Sequence, residues 1–202
     1  MNVLFARIKI FDDKRLNSEK EMHKILYRQL IPADFDEYKR VWLDCLKQYP
    51  DNFGATLEEG LNSKSLKLAN VIQAANKYNF AFGAFTENHK LIGICGFISD
   101  MRLKALHRGE IVQLFVDSTY NGKGIGKKIL QLCIAEAFNN GQTEQIVLSV
   151  VSANENAIRL YTQLGFAEYG RLENFFKSGE RYLAQSFFYL IKNRVQNCDE
   201  DI

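Results

Sequence analysis

The chain has 202 residues, room for one domain or one domain with an extension, and its 47% hydrophobic and 12% aromatic content supplies a continuous core rather than a disordered coil. Its 26 basic residues stand against 24 acidic ones, a net charge of +2. A general nucleic-acid binder needs a concentrated positive face to displace counterions, so that class is excluded and any attraction for an anion must be local.

The alternation of Leu4, Ala6, Ile8 and Ile10 with polar neighbours predicts a short strand, which the charged run from Asp12 to Glu21 links to the domain proper. Residues 1–21 therefore read as an extension, 22–192 as the domain, and 193–202 as a polar tail. A strand is expected from Lys24 to Leu30. Pro32 suits the first turn of a helix with Asp34 near its positive end. Tyr38, Trp42, Cys45, Leu46 and Tyr49 form the helix's buried stripe, and Pro50 stops it. Thr56 and Glu59 have the spacing of a capping box opening another helical region, interrupted around Gly60 to Ser65 and resuming to about Ala75. Phe80 to Phe85 and Leu91 to Ile98 read as strands joined by a turn at Glu87-Asn88-His89, and Glu110 to Val116 as a further strand.

After a glycine-rich segment comes a helix whose buried face is Ile129, Leu130, Cys133, Ile134, Ala137 and Phe138, stopped by Asn140-Gly141. Ile146 to Val151 is a strand. Ser152 and Glu155 read as a second capping box, opening a helix with Ala157, Leu160, Tyr161 and Leu164 on one face and Gly165 at its end. Phe166 to Phe176 and Arg181 to Leu190 form a closing hairpin turning at Lys177 to Glu180. The order is α/β with a mixed sheet. The strand, helix and strand between Glu110 and Val151 should form a right-handed crossover joining parallel strands.

Cys45, Cys95, Cys133 and Cys198 show no CxxC spacing and share no ligand spacing with the three histidines, so no metal site is expected. Cys95 and Cys133 lie in apolar runs and read as small buried hydrophobes. No stretch approaches the ~20 apolar residues of a membrane span. Met1 to Phe11 carries Arg7 and Lys9 within it and lacks the features of a signal peptide, so the expected location is the cytoplasm.

The segment Asn121-Gly122-Lys123-Gly124-Ile125-Gly126 sits where the crossover strand feeds its helix. Consecutive glycines there expose backbone N–H groups at the positive end of the helix dipole, a site made for phosphate. Lys123, Lys127 and Lys128 add local positive charge. The Walker pattern fails, because Asn121 stands five before Gly126 and Lys128 follows Lys127. The dinucleotide fingerprint fails too, since its last glycine would fall on Lys127 or Ile129.

Here the sequence resembles the GNAT acyltransferase superfamily, the Gcn5-related N-acetyltransferases. The loop is similar to that family's Gln/Arg-x-x-Gly-x-Gly/Ala signature at both glycines, with Asn121 where Arg or Gln is usual. A second family pattern, Asn-x-x-Ala-x-x-Leu-Tyr-x-x-x-Gly-Phe, stands intact as Asn154, Ala157, Leu160, Tyr161, Gly165 and Phe166. The resemblance implies a GNAT-like fold: a central mixed sheet of about six to seven strands flanked by about four helices. It implies acetyl-CoA as co-substrate, with its pyrophosphate on residues 121 to 126 beside Lys127. The pantetheine arm would pair with the backbone of Leu114, Phe115 and Val116, where the sheet splays. It further implies Tyr161 as the general acid for the departing thiolate, with core packing as its alternative role. Glu110 is implied as the base that deprotonates the amine, placed by strand period on one face with Leu114. A water chain or a solvent-facing carboxylate is the alternative there. Asn154 would hold the pantetheine arm or cap its helix. Arg159 and Lys128 either reach the adenosine phosphate or form a solvated face.

The acceptor would be a small-molecule amine or a peptide or protein amine, meeting the segment Tyr49 to Phe53 and the region of Tyr182. Asp51, Glu58 or Glu59 would attract its charge. No nucleic acid or membrane is expected as partner, and a homodimer stays open. The competing functions are a non-catalytic acyl-CoA-binding module on the same fold and a nucleotide-binding protein.

Overall fold

Seven strands pair into one sheet in the order β1-β2-β3-β4-β5-β7-β6. They are β1 (Leu26–Gln29), β2 (Asn79–Phe85), β3 (Leu91–Ser99), β4 (Arg108–Val116), β5 (Gln145–Val151), β6 (Ala167–Ser178) and β7 (Arg181–Ile191). The computed structural model describes residues 25–61, 66–74 and 76–192. The strand expected over Leu4 to Ile10, the charged run to Glu21, the interruption at Asn62 to Ser65 and the tail from Asn193 lie outside the described residues. All pairings are antiparallel except β4 with β5, which is parallel, as the crossover requires. Five α-helices occur among the described residues: α1 (Phe35–Gln48), α2 (Leu57–Leu61), α3 (Ala69–Gln73), α4 (Ile125–Asn139) and α5 (Glu155–Gln163).

Apolar surface is buried on both faces of the sheet. Tyr38, Val41, Trp42, Cys45 and Leu46 of α1 pack with Val71 and Ile72 of α3 against Phe85, Ile94, Val112 and Phe115. On the other face, Ile129, Leu130, Cys133 and Ala137 of α4 and Tyr161 of α5 cover Phe80, Ile92, Phe97, Ile111, Leu148 and Phe188. Burying each large apolar side chain contributes roughly 1.5–3 kcal/mol. Coverage from both sides explains why β3 is buried at every position from Leu91 to Phe97 and reads as a continuous apolar run. Before α1, Pro32 opens a single 3-10 turn (Pro32–Asp34), and Asp34 receives both Arg28 Nη atoms at 2.6 and 2.8 Å.

Two sequence expectations are corrected. The residue capping α5 is Asn154, whose Oδ1 accepts from Ala157 N at 3.2 Å, and the helix begins at Glu155. Ser152 is not the cap, because its hydroxyl is hydrogen-bonded to Ser186 Oγ across the sheet at 2.9 Å. The second correction concerns β4. Opposite β3, Phe115 pairs with Ile94 and Val112 with Gly96, which leaves Gln113 and Leu114 against Cys95 alone. Gln113 takes φ 54°, and its Oε1 accepts from the buried Tyr38 hydroxyl at 3.0 Å. This β-bulge adds one residue and reverses the strand's phase. Val112 and Phe115 face α1, whereas Ile111, Leu114 and Val116 face α4. Glu110 lies on the α1 face with its partner Lys67, not on the face of Leu114.

Ahead of the bulge the sheet opens on its β5 side. β4 pairs with β5 only from Arg108/Gln145 to Glu110/Val147, while β5 stays paired with β7 as far as Val151/Gln185. From Ile111 onward, β4 therefore presents unpaired backbone groups to the gap.

Candidate active site

One cleft of about 1120 Å³ runs through this gap. Its entrance is the loop between β4 and α4. Asp117 caps a 3-10 turn (Ser118–Tyr120) by accepting from Thr119 N at 3.0 Å. The chain then turns through Gly122 (φ 76°) and Gly124 (φ 74°), a region that L side chains resist. A Cβ on either glycine would meet nothing within 4 Å, so the conformation, not crowding, demands glycine. Gly124 is the N-cap of α4, and the helix's first bond runs from Lys128 N to Gly124 O at 3.0 Å. The N–H groups of residues 125–127 thus lack intrahelical partners and point outward at the positive end of the dipole.

Asn121, Gly122, Gly124, Ile125, Gly126 and Lys127 all line the cleft. Lys123 does not; its ammonium lies 5.2 Å from the centroid of the Tyr120 ring. The short side chain of Asn121 donates to Tyr49 Oη at 3.3 Å and ties the loop to the end of α1. Arg159 donates to Asn156 Oδ1 at 2.8 Å on the outer surface of α5, and neither it nor Lys128 reaches the cleft.

Deeper in, Leu114, Phe115 and Val116 form one wall and Leu148, Ser149 and Val150 the other, with Asn154, Ala157, Leu160 and Tyr161 from α5 beneath. Because Asn154 Oδ1 is committed to its cap, the amide nitrogen is the group it has left for a ligand. Tyr161 is 7% exposed, and its ring packs against Phe166 and Phe188 at 6.0 and 6.1 Å. Burial, and secondarily the Cys95 thiol, push its pKa up, and no hydrogen bond contributes. The hydroxyl stays protonated at neutral pH. Gly165 (φ 87°) ends the helix behind it, with Phe166 N bonded to Tyr161 O at 3.1 Å.

The α1 side of the gap holds Glu110, whose Oε2 accepts from Lys67 Nζ at 3.0 Å, both side chains about half exposed. Trp42, Phe53 and Phe176 add aromatic surface to this side. Gly54 lets the α1–α2 loop close on the β6–β7 hairpin, since a Cβ there would lie 2.5 Å from the Phe176 ring. Asp51 fastens that contact, accepting from Ser178 Oγ at 3.1 Å and Arg181 Nη2 at 2.7 Å. The Arg181 guanidinium, then the Ser178 hydroxyl, hold the Asp51 carboxyl below its usual range. Asp51 therefore serves the hairpin and not the cleft. Of the three acids expected near an amine, Glu59 lines the cleft while also receiving Thr56 N at 2.7 Å in the capping box. Tyr182 lies over Lys177, away from the cleft.

Among the lining residues that the sequence did not single out are Lys67, Gln113 and Gln185. The one sequence signal was for Gln113, a lone polar residue in the apolar run Ile111 to Val116. Among the described residues no cluster of potential metal ligands occurs, and no helix is long and apolar enough to cross a membrane.

Residues 27–166 match the profile of the acetyltransferase (GNAT) family. The chain is 38% identical over 80 residues to N-alpha-acetyltransferase 30 of Xenopus laevis, covering 40% of this chain and 29% of that protein. It is 27% identical over 108 residues to spermidine N(1)-acetyltransferase of Vibrio cholerae, covering 53% and 62% respectively. The chain thus matches less than two thirds of the length of either relative. In fold it is similar to a Salmonella typhimurium protein solved with its cofactor acetyl-CoA, with TM-score 0.64 and 20% identity over 83% of this chain and 94% of that one.

Proposed function

The chain belongs to the acetyltransferase (GNAT) family, and we propose that it transfers an acetyl group from acetyl-CoA to a primary amine by direct attack in a ternary complex. The observation that carries this reading is the continuity of one cleft. It leads from the outward N–H groups of residues 125–127, along the unpaired edge of β4, to the Tyr161 hydroxyl and through the gap to Glu110. The open space at Gly122 and Gly124 and the nearby Lys127 fit a pyrophosphate. The free backbone groups of Leu114 to Val116 fit an extended arm carrying amides, which would pair there as an added strand. Bound acetyl-CoA would supply an activated acyl group and a thiol leaving group.

In this reading Asn154 donates its amide N–H to the pantetheine arm. Backbone N–H groups near Leu114 and Phe115 face the charge that develops on the carbonyl oxygen. Tyr161, kept protonated by burial, gives its proton to the leaving sulfur. Glu110, on the opposite face, takes the proton of the attacking amine. The Lys67 ammonium, 3.0 Å away, fixes where that carboxylate sits.

The aromatic lining by Trp42, Phe53 and Phe176 and the cation at Lys67 favour an amine joined to an apolar group over a polycation. The proposed acceptor is accordingly a peptide or protein α-amine, acetylated in the cytoplasm by the unit at residues 22–192. The test is thiol release from acetyl-CoA with peptides bearing free or blocked N-termini and with spermidine. Turnover of free peptides is expected. Coenzyme A binding without turnover of any amine would make the chain an acyl-CoA-binding module.

A further inference from the structure

Among the described residues, two buried side-chain atoms have no hydrogen-bond partner: Arg108 Nε and Gln185 Oε1. Gln185 is 7% exposed and lines the cleft. It sits in β7 opposite Val151 of β5, at the last pair before the two strands part. Along β7, Phe188 and Leu190 join the cluster under α4 and α5, and Ser186 bonds Ser152 on that same face. Strand alternation therefore puts Gln185 on the other face, the one shared by Glu110 and Lys67.

An amide oxygen shut away from water without a partner disfavours the folded state, and methionine would fill the same space without that cost. The terminal torsion of glutamine is soft, so the amide can turn its oxygen toward the cleft. What the cleft must admit on this face is a molecule bringing N–H groups: an amine and, in a peptide, the amide that follows it.

We propose that Gln185 is an acceptor-binding residue, whose side-chain oxygen accepts a hydrogen bond from an N–H of the amine substrate; this rests on the acetyl-transfer reading above. The pantetheine arm also carries N–H groups, but its proposed track follows Leu114 to Val116 toward Asn154 and Tyr161, on the other side of the gap. A donor held by Gln185 lies on the face where the acceptor enters. The bond orients the nucleophile and favours acceptors that carry a second N–H near the reacting amine.

The experiment compares wild type, Gln185→Met and Gln185→Glu, using an apolar tetrapeptide with a free N-terminus and spermidine as acceptors. Gln185→Met should raise the peptide KM about tenfold and leave the acetyl-CoA KM, and the coenzyme A Kd by calorimetry, unchanged. Its melting temperature should hold or rise, because an unpaired polar group has been removed. Gln185→Glu, which keeps an accepting oxygen, should recover most of the peptide affinity. An unchanged peptide KM in Gln185→Met overturns the proposal. So does a raised acetyl-CoA KM, which would move the contact to the pantetheine arm, or a lowered melting temperature, which would make the residue structural. Wild-type enzyme inert toward both amines overturns the acetyl-transfer reading and this inference with it. Wild-type turnover with an indifferent Gln185→Met overturns this inference alone.

Discussion

Tyr161→Phe removes one oxygen and nothing else. The ring keeps its contacts with Phe166 and Phe188, at 6.0 and 6.1 Å, and no hydrogen bond is among the influences on the hydroxyl. Stability should therefore change by less than about 1 kcal/mol, since neither packing nor a hydrogen bond is lost. If the hydroxyl protonates the leaving sulfur, kcat should fall about 10²-fold, equivalent to roughly 2.7 kcal/mol of transition-state stabilisation. The coenzyme A Kd should stay within about twofold, because Tyr161 lies beyond the loop that would hold the pyrophosphate. Burial raises the Tyr161 pKa, so the acid stays loaded as pH rises through neutrality and loses its proton only above the ordinary tyrosine value of about 10. The wild-type rate should consequently show no falling limb from this group between about pH 6 and 9. The assay is thiol release with a verified amine, run beside calorimetry and a thermal melt. A Phe variant with full kcat would refute the proton-donor role. A large loss of melting temperature would refute the claim that the hydroxyl is structurally idle.

Gly126 has no positive φ, and a Cβ there would meet Val116 Cγ2 at an ordinary 3.5 Å. Gly126→Ala should therefore fold at least as well as wild type, whereas Gly126→Glu should cut coenzyme A affinity at least about tenfold by setting a carboxylate among the outward amides; an unchanged calorimetric Kd for the Glu variant removes the loop from the site. Glu110→Gln should lower kcat/KM at neutral pH by about 10- to 10²-fold and recover as pH rises and the amine arrives neutral. Superimposable pH–rate profiles would leave a water chain as the proton path, and a lowered melt with a normal profile would make the Lys67 ion pair Glu110's whole role. Asp34→Asn should cost about 1–2 kcal/mol at pH 7 by breaking the two-point bond from Arg28. Arg28 lowers the Asp34 pKa, so that contribution is complete above the unfolded carboxylate value of about 4 and disappears as pH falls through the lower folded one. Urea unfolding of both proteins at neutral and acid pH should show the gap closing, and a gap independent of pH would contradict the assignment.

What was legible in the sequence was what short-range backbone physics decides. The glycine turn, the buried face of α4, the Thr56–Glu59 capping box and the α5 stop at Gly165 each depend on residues within one or two turns of each other. The errors arose where a distant partner decided the outcome. Ser152 and Asn154 are both sound helix caps by type, and the choice was made by Ser186, which engages the serine hydroxyl from β7. Asp51 reads as a loop carboxylate free to meet an amine until Arg181, far along the chain, claims it. The phase of β4 was misread because strict alternation has no place for an extra residue. Gln113 marked the spot as a polar interruption, but its meaning came from Tyr38 on another helix.

For the proposed two-substrate transfer, that bulge lets one strand contribute to both faces of the sheet. A regular β4 would set Glu110 and Leu114 on one face. Holding a non-glycine residue at φ 54° costs on the order of 1–2 kcal/mol, offset in part by the Tyr38–Gln113 hydrogen bond. Independently of the bulge, the parallel pairing with β5 already ends after Glu110, so the backbone of residues 111–116 is free at the gap. The reversed phase then leaves Glu110 on the α1 face, while Leu114 joins the α4 side that also holds Tyr161. For the proposed transfer, this means that the amine loses its proton on one side of the sheet and the sulfur gains one on the other. Straightening β4 by deleting Gln113 would put Glu110 and Leu114 back on one face and remove that separation.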